Sequence, residues 1–254
     1  MLFNSHLFIF LFLPVALAGW FFLNSRGRYG LAQGFLLGMS LWFYAWENPS
    51  HLWLLLAGCF AGYGFCALLD RAGSAAARKA VLAAGCLFHL GTLGYFKYCN
   101  FFLENVNALL RMDFTLVSIL LPVGISFYTF QQLAYLIDRF KGEEPPCSLL
   151  DYLTFQLYFP QILQGPILLG KELIPQLHEK KRRMFDPQRF AEGIRLFAMG
   201  LAKKVLLADS LAKPVNFGYE NVAFLDSVSA VLLAAGYLTE LYFDFSGYCD
   251  MAMG

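Results

Sequence analysis

Leu52-Trp-Leu-Leu-Leu-Ala-Gly-Cys-Phe-Ala-Gly-Tyr-Gly-Phe-Cys-Ala-Leu-Leu69 passes from end to end without a charged side chain. At about 1.5 Å of rise per residue such a run approaches the roughly 30 Å thickness of a hydrocarbon core. It lacks the period-2 alternation of a lipid-embedded barrel strand, and an open strand cannot satisfy its backbone groups in lipid, so the run reads as a membrane helix. Working outward, comparable apolar runs fall at 7–23, 30–46, 80–96, 116–137, 152–169, 190–208 and 228–248. Only 15% of the residues are charged and 58% are hydrophobic, against about 25% charged in soluble domains. The expected fold is all-α, a polytopic transmembrane helical bundle forming one membrane domain over 1–254.

The first run is expected to be a retained helix and not a leader, because Met1 to His6 carries no Lys or Arg and no small-residue cleavage site follows cleanly. Trp20, Trp42, Trp46, Trp53, Tyr95 and Tyr98 cluster near run ends, where amphipathic rings meet headgroups. Arg26 and Arg28, then Arg71, Arg78 and Lys79, place the first and third connections in the cytoplasm. Strict alternation would then put the loop 97–113 outside, 138–151 inside and 171–189 outside. The last placement conflicts with Lys171, Lys180, Lys181, Arg182, Arg183 and Arg189. The run 152–169, interrupted by Pro160, Gly165 and Pro166, is therefore expected not to cross but to form a re-entrant or broken segment around 155–170.

A net charge of +1 with basic residues confined to loops speaks against a nucleic-acid partner. The six cysteines form no CxxC pair, so neither a disulfide framework nor a metal site is expected. Polar residues inside apolar runs are more informative, because they need a bundle interior or an aqueous path. In 121–138, Tyr128, Gln131, Gln132, Tyr135 and Asp138 recur at helical spacing and form one stripe facing other helices. In 237–254, Tyr237, Glu240, Asp244 and Tyr248 share a face, which Asp250 joins only if Gly247 breaks the helix. Each stripe has a structural reading, interhelical hydrogen bonds and ion pairs, and a functional one, the lining of a tunnel. Lys203 and Lys204 are candidate partners of the carboxylates or else snorkel to headgroups. His6, His51, His89 and His178 are poorly placed for catalysis, His178 lying in the basic loop, and no Ser, His and Asp arrangement is evident.

Several motifs occur together in order: Leu11-Phe-Leu-Pro14, Phe43-Tyr-Ala-Trp46, Leu93-Gly-Tyr-Phe-Lys-Tyr98, Leu121-Pro-Val-Gly-Ile-Ser-Phe-Tyr-Thr-Phe130, Phe159-Pro-Gln-Ile162 with Gly165-Pro166, Lys203-Lys-Val205 with Ala208-Asp209, and Tyr242-Phe-Asp-Phe-Ser-Gly-Tyr-Cys-Asp-Met-Ala252. In these the chain resembles the membrane-bound O-acyltransferases, in particular bacterial alginate O-acetyltransferase membrane subunits, over their N-terminal half. Gln164 and Gln161 depart from the Ala and His common in that pattern. The resemblance implies a multi-pass protein of the bacterial inner membrane that passes an acetyl group from a cytoplasmic donor, acetyl-CoA or another acyl thioester, toward hydroxyls of an exported polysaccharide such as alginate. It implies no bound cofactor, and it implies membrane lipid, the acyl donor, the polysaccharide and periplasmic acetyltransferase proteins as partners. Its essential histidine belongs to a Trp-His-x-Ser motif beyond the last motif quoted, so no catalytic residue is expected in this chain and the 254 residues alone are expected to be inactive. Tyr128, Gln131, Asp244 and Tyr248 are the candidates for lining the tunnel. The basic segment 171–189 reads as a headgroup stripe or a docking surface for the donor. A polysaccharide or acyl transporter, or a non-catalytic scaffold of a glycan-modifying complex, fits the same polar stripes.

Overall fold

The computed structural model describes residues 1–47, 49–110, 119–163, 165 and 168–254, apart from the side chains of Glu47 and Leu110. Among the described residues every regular element is helical. Among the described residues four stretches are long and apolar enough to cross a membrane: Phe8–Ser25, Pro49–Arg71, Ala75–Leu109 and Ser227–Met253. The remaining expected spans are shorter, broken or more polar.

The third stretch corrects the expected loop 97–113. Helix α4 (Ala75–Leu93) passes through a π turn, Gly94–Tyr98, into α5 (Cys99–Leu110) without a break. Lys97 does not end the helix because its ammonium is already occupied, donating to Ser126 Oγ at 3.1 Å and lying 5.4 Å from the Tyr98 ring centroid. The run 116–137 is corrected as well. Helix α6 (Ile125–Lys141) begins only after Gly124, whose φ of 75° is left-handed, while 116–118 lie outside the described residues.

The chain divides into two compact units, Arg28–Leu163 with Ile167–Arg182, and Met1–Gly27 with Gln164–Pro166 and Arg183–Gly254. In the first unit, α2 (Tyr29–Glu47), α3 (Leu52–Arg71), α4 and α6 accompany two short helices, α7 (Leu149–Gln156) and α8 (Gly170–His178). Helix α6 packs on α3 and α4 with Ile125, Leu133 and Leu136 buried. Four of the five residues of the expected polar stripe of α6 face inward, Tyr128, Gln131, Gln132 and Tyr135 being buried, while Asp138 is partly exposed. The end of the helix is tied by Arg139, which donates to Asp70 at 2.6 Å and to the Glu144 carbonyl at 2.5 Å. Arg78 donates to the Phe140 carbonyl at 2.8 Å, filling one of the acceptors a helix C-terminus leaves open.

The basic segment is not the loop expected from sequence. It contains α8 and α9 (Lys180–Arg183), and α8 is started by the Glu172 carboxylate, which accepts from the Leu169 N–H at 3.3 Å.

The second unit contains α1 (Leu13–Ser25) behind a π turn at Phe8–Phe12, then α10 (Pro187–Ala202), a π turn at Lys203–Ala208, α11 (Asp209–Glu220) and α12 (Ser227–Met253). Asp186 and Asp226 cap α10 and α12 by accepting from the Gln188 and Ser229 N–H groups at 3.0 and 3.1 Å. Helices α10 and α12 approach until the backbones touch, at Gly200 and Gly247. Lipid offers no hydrophobic drive between helices, so such close backbone packing is what holds them.

Candidate functional site

The run 152–169 does break. Helix α7 ends at Gln156 and the chain turns through Leu157 to Leu163. Gln164, Pro166 and Ile167, which carry part of the expected re-entrant segment, lie outside the described residues. Proline at 160 disfavours helix at Phe159, so the last carbonyls of α7 lose their helical donors. Side chains replace them: Gln131 Nε2 and Gln161 Nε2 both donate to the Phe155 carbonyl, at 3.3 and 2.5 Å. The Phe159 N–H donates to Ser40 Oγ at 3.3 Å, and the rings of Phe43 and Phe159 lie 5.7 Å apart. At Gly124 an added Cβ would sit 2.8 Å from the Ile162 carbonyl, so only glycine lets α6 start against this segment.

Gln131 is therefore buried and hydrogen-bonded to a neighbouring helix, where it caps α7. Tyr128 lies one turn earlier on α6, 3% exposed, and its hydroxyl has no hydrogen-bond partner. The same holds for Gln161 Oε1 and for both amide atoms of Gln156. Each buried polar atom left unpaired costs about 1–3 kcal/mol, so this helix end is destabilised unless something bonds to it. Gln132 is satisfied differently, donating to Cys59 Sγ at 3.3 Å. His89 is packed against the rings of Phe65 and Phe88, which fits its structural reading, although its Nε2 finds no partner.

The other two tunnel candidates lie in the second unit. Lys204 Nζ sits between Asp244 at 2.5 Å and Asp209 at 2.9 Å, and Lys203 Nζ reaches Asp250 at 2.6 Å and Ser246 at 3.0 Å. The π turn places both adjacent lysines toward α12. Asp250 stays off the Asp244 stripe in the unbroken helix, and it pairs with Lys203 without a break at Gly247. Helix α12 is continuous, and Asp250 shares a face with Ser246 by an i, i+4 step. Tyr248 stacks on Phe3 with ring centroids 4.7 Å apart, and Glu240 Oε2 is buried without a partner. Thus Tyr128 and Gln131 belong to one unit and Asp244 and Tyr248 to the other. The lysine pairing gives a test. Lys203→Asp should destabilise the intact protein and Lys203→Asp with Asp250→Lys should recover about 1 kcal/mol of coupling, read from thermal unfolding of the four-member cycle. Zero coupling would mean that Lys203 merely snorkels.

A third cluster went unnoticed in the sequence. Ser148 caps α7, accepting from the Asp151 N–H at 3.1 Å and donating to Asp151 Oδ2 at 2.7 Å. The same carboxylate accepts from Gln33 of α2 at 2.7 Å and from His178 Nε2 of α8 at 2.8 Å. Burial pushes the Asp151 carboxyl up, but the bonds from Gln33, Ser148 and His178 outweigh it and hold it below its ordinary 3.8. Glu144 moves the other way: burial raises its carboxyl more than the Lys171 backbone N–H lowers it. Glu144, Ser148, Asp151 and His178, together with Pro145, Pro146, Cys147, Lys171 and Ile174, border a cavity of about 340 Å³. His178 is thus fixed at a helix end and not free in a loop. Ser148, Asp151 and His178 do converge, but Ser148 donates to Asp151, so the nucleophile-to-imidazole bond of a hydrolytic triad is not made. The available signal was Ser148 three residues before an acid, a helix-start pattern. Among the described residues no group of His, Cys, Asp or Glu side chains is placed to hold a metal ion.

Residues 141–254, which include Ser148, Asp151 and His178, the broken segment and the paired α10–α12 helices, match the model of the membrane-bound O-acyltransferase (MBOAT) family. In that stretch the chain is similar to the MBOAT family. All of its length aligns with the peptidoglycan O-acetyltransferase of Helicobacter pylori at 35% identity, covering 53% of that protein. It aligns equally completely with the probable alginate O-acetylases of Pseudomonas aeruginosa, at 39% identity and 48% coverage, and of Azotobacter vinelandii, at 37% and 50%. The chain spans about half the length of these curated relatives.

Proposed function

We propose that this chain is part of a membrane O-acyltransferase of the bacterial inner membrane that moves an acetyl group from a cytoplasmic thioester, acetyl-CoA or an equivalent, toward hydroxyls of an exported polysaccharide. The observation that carries the reading is similarity along the whole chain to proteins named for O-acetyl transfer onto cell-surface glycans. In the reaction the hydroxyl oxygen bonds to the acetyl carbon, the carbon–sulfur bond breaks, and the hydroxyl proton ends on the departing thiolate. Periplasmic acetyltransferase proteins are proposed partners, and alginate and peptidoglycan are both candidate acceptors.

Within that reading Tyr128 and Gln131 in one unit, and Asp244 and Tyr248 in the other, are the candidates for the substrate path, and none of them performs the chemistry. Tyr128 and Gln131 supply neutral hydrogen-bonding groups beside the broken segment, and Asp244, held by Lys204, fixes the α11–α12 end of its unit. Among the described residues no histidine is arranged as a base with a neighbouring nucleophile, and the 254 residues alone are expected to transfer no acetyl group because the family's histidine motif follows the last motif matched here. In the intact protein, Gln131→Ala and Asp244→Asn should each lower polysaccharide acetylation by about tenfold or more at equal membrane levels, since small misplacements along a substrate path are this expensive. Unchanged acetylation in both would remove these residues from the path. The transporter alternative makes a separate prediction, transport of a glycan whose mass is unaltered, so mass analysis of the exported polysaccharide decides between them.

A further inference from the structure

We infer that the cavity between the stretch 144–148 and α8 binds an organic cation, an alkylammonium with a short aliphatic body. All of its borders belong to the first unit. Its volume of about 340 Å³ is room for about eleven waters at roughly 30 Å³ each. Pro145, Pro146, Ile174 and Pro175 give it apolar walls, and Glu144 and Asp151 bring carboxylates to it.

The two carboxylates differ in what meets them. Asp151 accepts from Gln33, Ser148 and His178. Glu144 is 2% exposed, yet among the described residues its carboxylate accepts only from the Lys171 backbone N–H, through Oε1, and Oε2 has no partner. The Lys171 ammonium goes instead to Glu143 at 2.9 Å, and Arg139 directs its guanidinium to Asp70 and to the Glu144 carbonyl. A helix N-terminus carries roughly half a positive charge, and that of α8 serves two carboxylates, Glu144 at the Lys171 N–H and Glu172 at the Leu169 N–H. Glu144 is thus short of positive charge where a carboxylate is stable only when paired, and burial raises its carboxyl accordingly. Gly170 keeps room for it, because an added Cβ there would lie 2.7 Å from Glu144 Oε1. The occupant must donate to Oε2 and bring positive charge, which a phosphate or a neutral hydroxyl does not do. A metal ion needs several protein ligands, and among the described residues no group of His, Cys, Asp or Glu is placed to supply them. An ammonium on a methylene chain meets both surfaces, its head at Glu144 and its stem on the apolar walls. The inference does not rest on the acyl-transfer reading.

Thermal unfolding of the purified intact protein with butane-1,4-diamine tests it, against butane-1,4-diol, an uncharged molecule of similar shape, at matched ionic strength. The diamine should raise the wild-type midpoint by a few degrees once it is well above its dissociation constant, because a ligand bound by the folded state stabilises that state by mass action. The diol should leave the midpoint unchanged. Glu144→Gln removes the charge but keeps an oxygen for the Lys171 N–H, and it should abolish the rise. Glu220→Gln, which removes a charge from the exposed end of α11, should retain it. Equal rises in all three proteins, or an equal rise with the diol, would mean a general charge or solvent effect. No rise in the wild type would mean that Glu144 is met by a proton or by water alone, and each of these results overturns the inference. A second reading needs no variant. Cys147 borders the same cavity, and its alkylation by iodoacetamide, read from peptide mass, should slow several-fold with the diamine and not with the diol. An unchanged rate overturns the site even if Glu144→Gln fails to fold.

Discussion

Gly200→Ala should loosen the α10–α12 pair, and Gly200→Leu should prevent it from forming. A Cβ at Gly200 would lie 2.6 Å from the Gly247 carbonyl oxygen and 2.7 Å from the Met251 nitrogen, and one at Gly247 would lie 2.8 Å from the Gly200 carbonyl and 3.1 Å from the Lys204 nitrogen. All four obstacles are backbone atoms of helices and cannot rotate aside, so the axes must separate. Overpacking of this kind costs about 1–3 kcal/mol for a single methyl, and isobutyl exceeds that by its size. The separation also stretches the ion pairs beside it, Lys203 to Asp250 and Lys204 to Asp244. The control is Gly64→Ala in α3, where an added Cβ meets nothing within 4 Å and the better helix propensity of alanine favours the fold. Thermal unfolding of the intact protein is expected to rank the variants Gly64→Ala, Gly200→Ala, Gly200→Leu in order of decreasing stability. Equal midpoints for the first two would show that the helices do not meet at these glycines.

The difference between what the sequence yields and what it hides lies in the range of the interactions. The helix Pro49–Arg71 and the inward stripe of α6 follow from uninterrupted apolar runs and helical spacing, which are local signals. So does the break after Gln156, set by a proline four residues on. The continuation of α4 into α5 is hidden because the apolar run ends at Phe96 and Lys97 follows, and only contact with Ser126 and Tyr98 shows how the lysine is accommodated. The pairing of Asp250 is open in the sequence because it depends on the neighbouring helix, whose π turn delivers Lys203 to it. The tunnel candidates were chosen as two separate stripes, and they occupy two separate units. Nothing local could have joined them.

Asp151 is the strongest case of a long-range site, and its replacement should have the second large effect. Its carboxylate joins α2, the start of α7 and the end of α8, and Gln33 comes from 118 positions away. Asp151→Ala leaves the Gln33 amide, 7% exposed, without its acceptor and removes the bond to the α8 terminus. Hydrogen bonds to a charged group contribute about 1.5–3 kcal/mol each and are not additive, so a loss of about 3–5 kcal/mol is expected, with α8 becoming protease-sensitive first. His178→Ala should cost less, because that side chain is 51% exposed and screened by water. Acidity supplies an independent check. The folded-state carboxyl lies below 3.8, so its contribution is complete above about pH 5 and disappears progressively as the pH falls through 3.8 toward the folded value. Glu144, raised by burial, acts in the opposite sense in the same range. The quantity to measure is therefore the difference between wild type and Asp151→Asn: it should be largest near neutrality and shrink as the solution is acidified. A difference that stays constant from pH 7 to pH 3 would mean that Asp151 holds α2, α7 and α8 by shape alone, and that its charge contributes nothing.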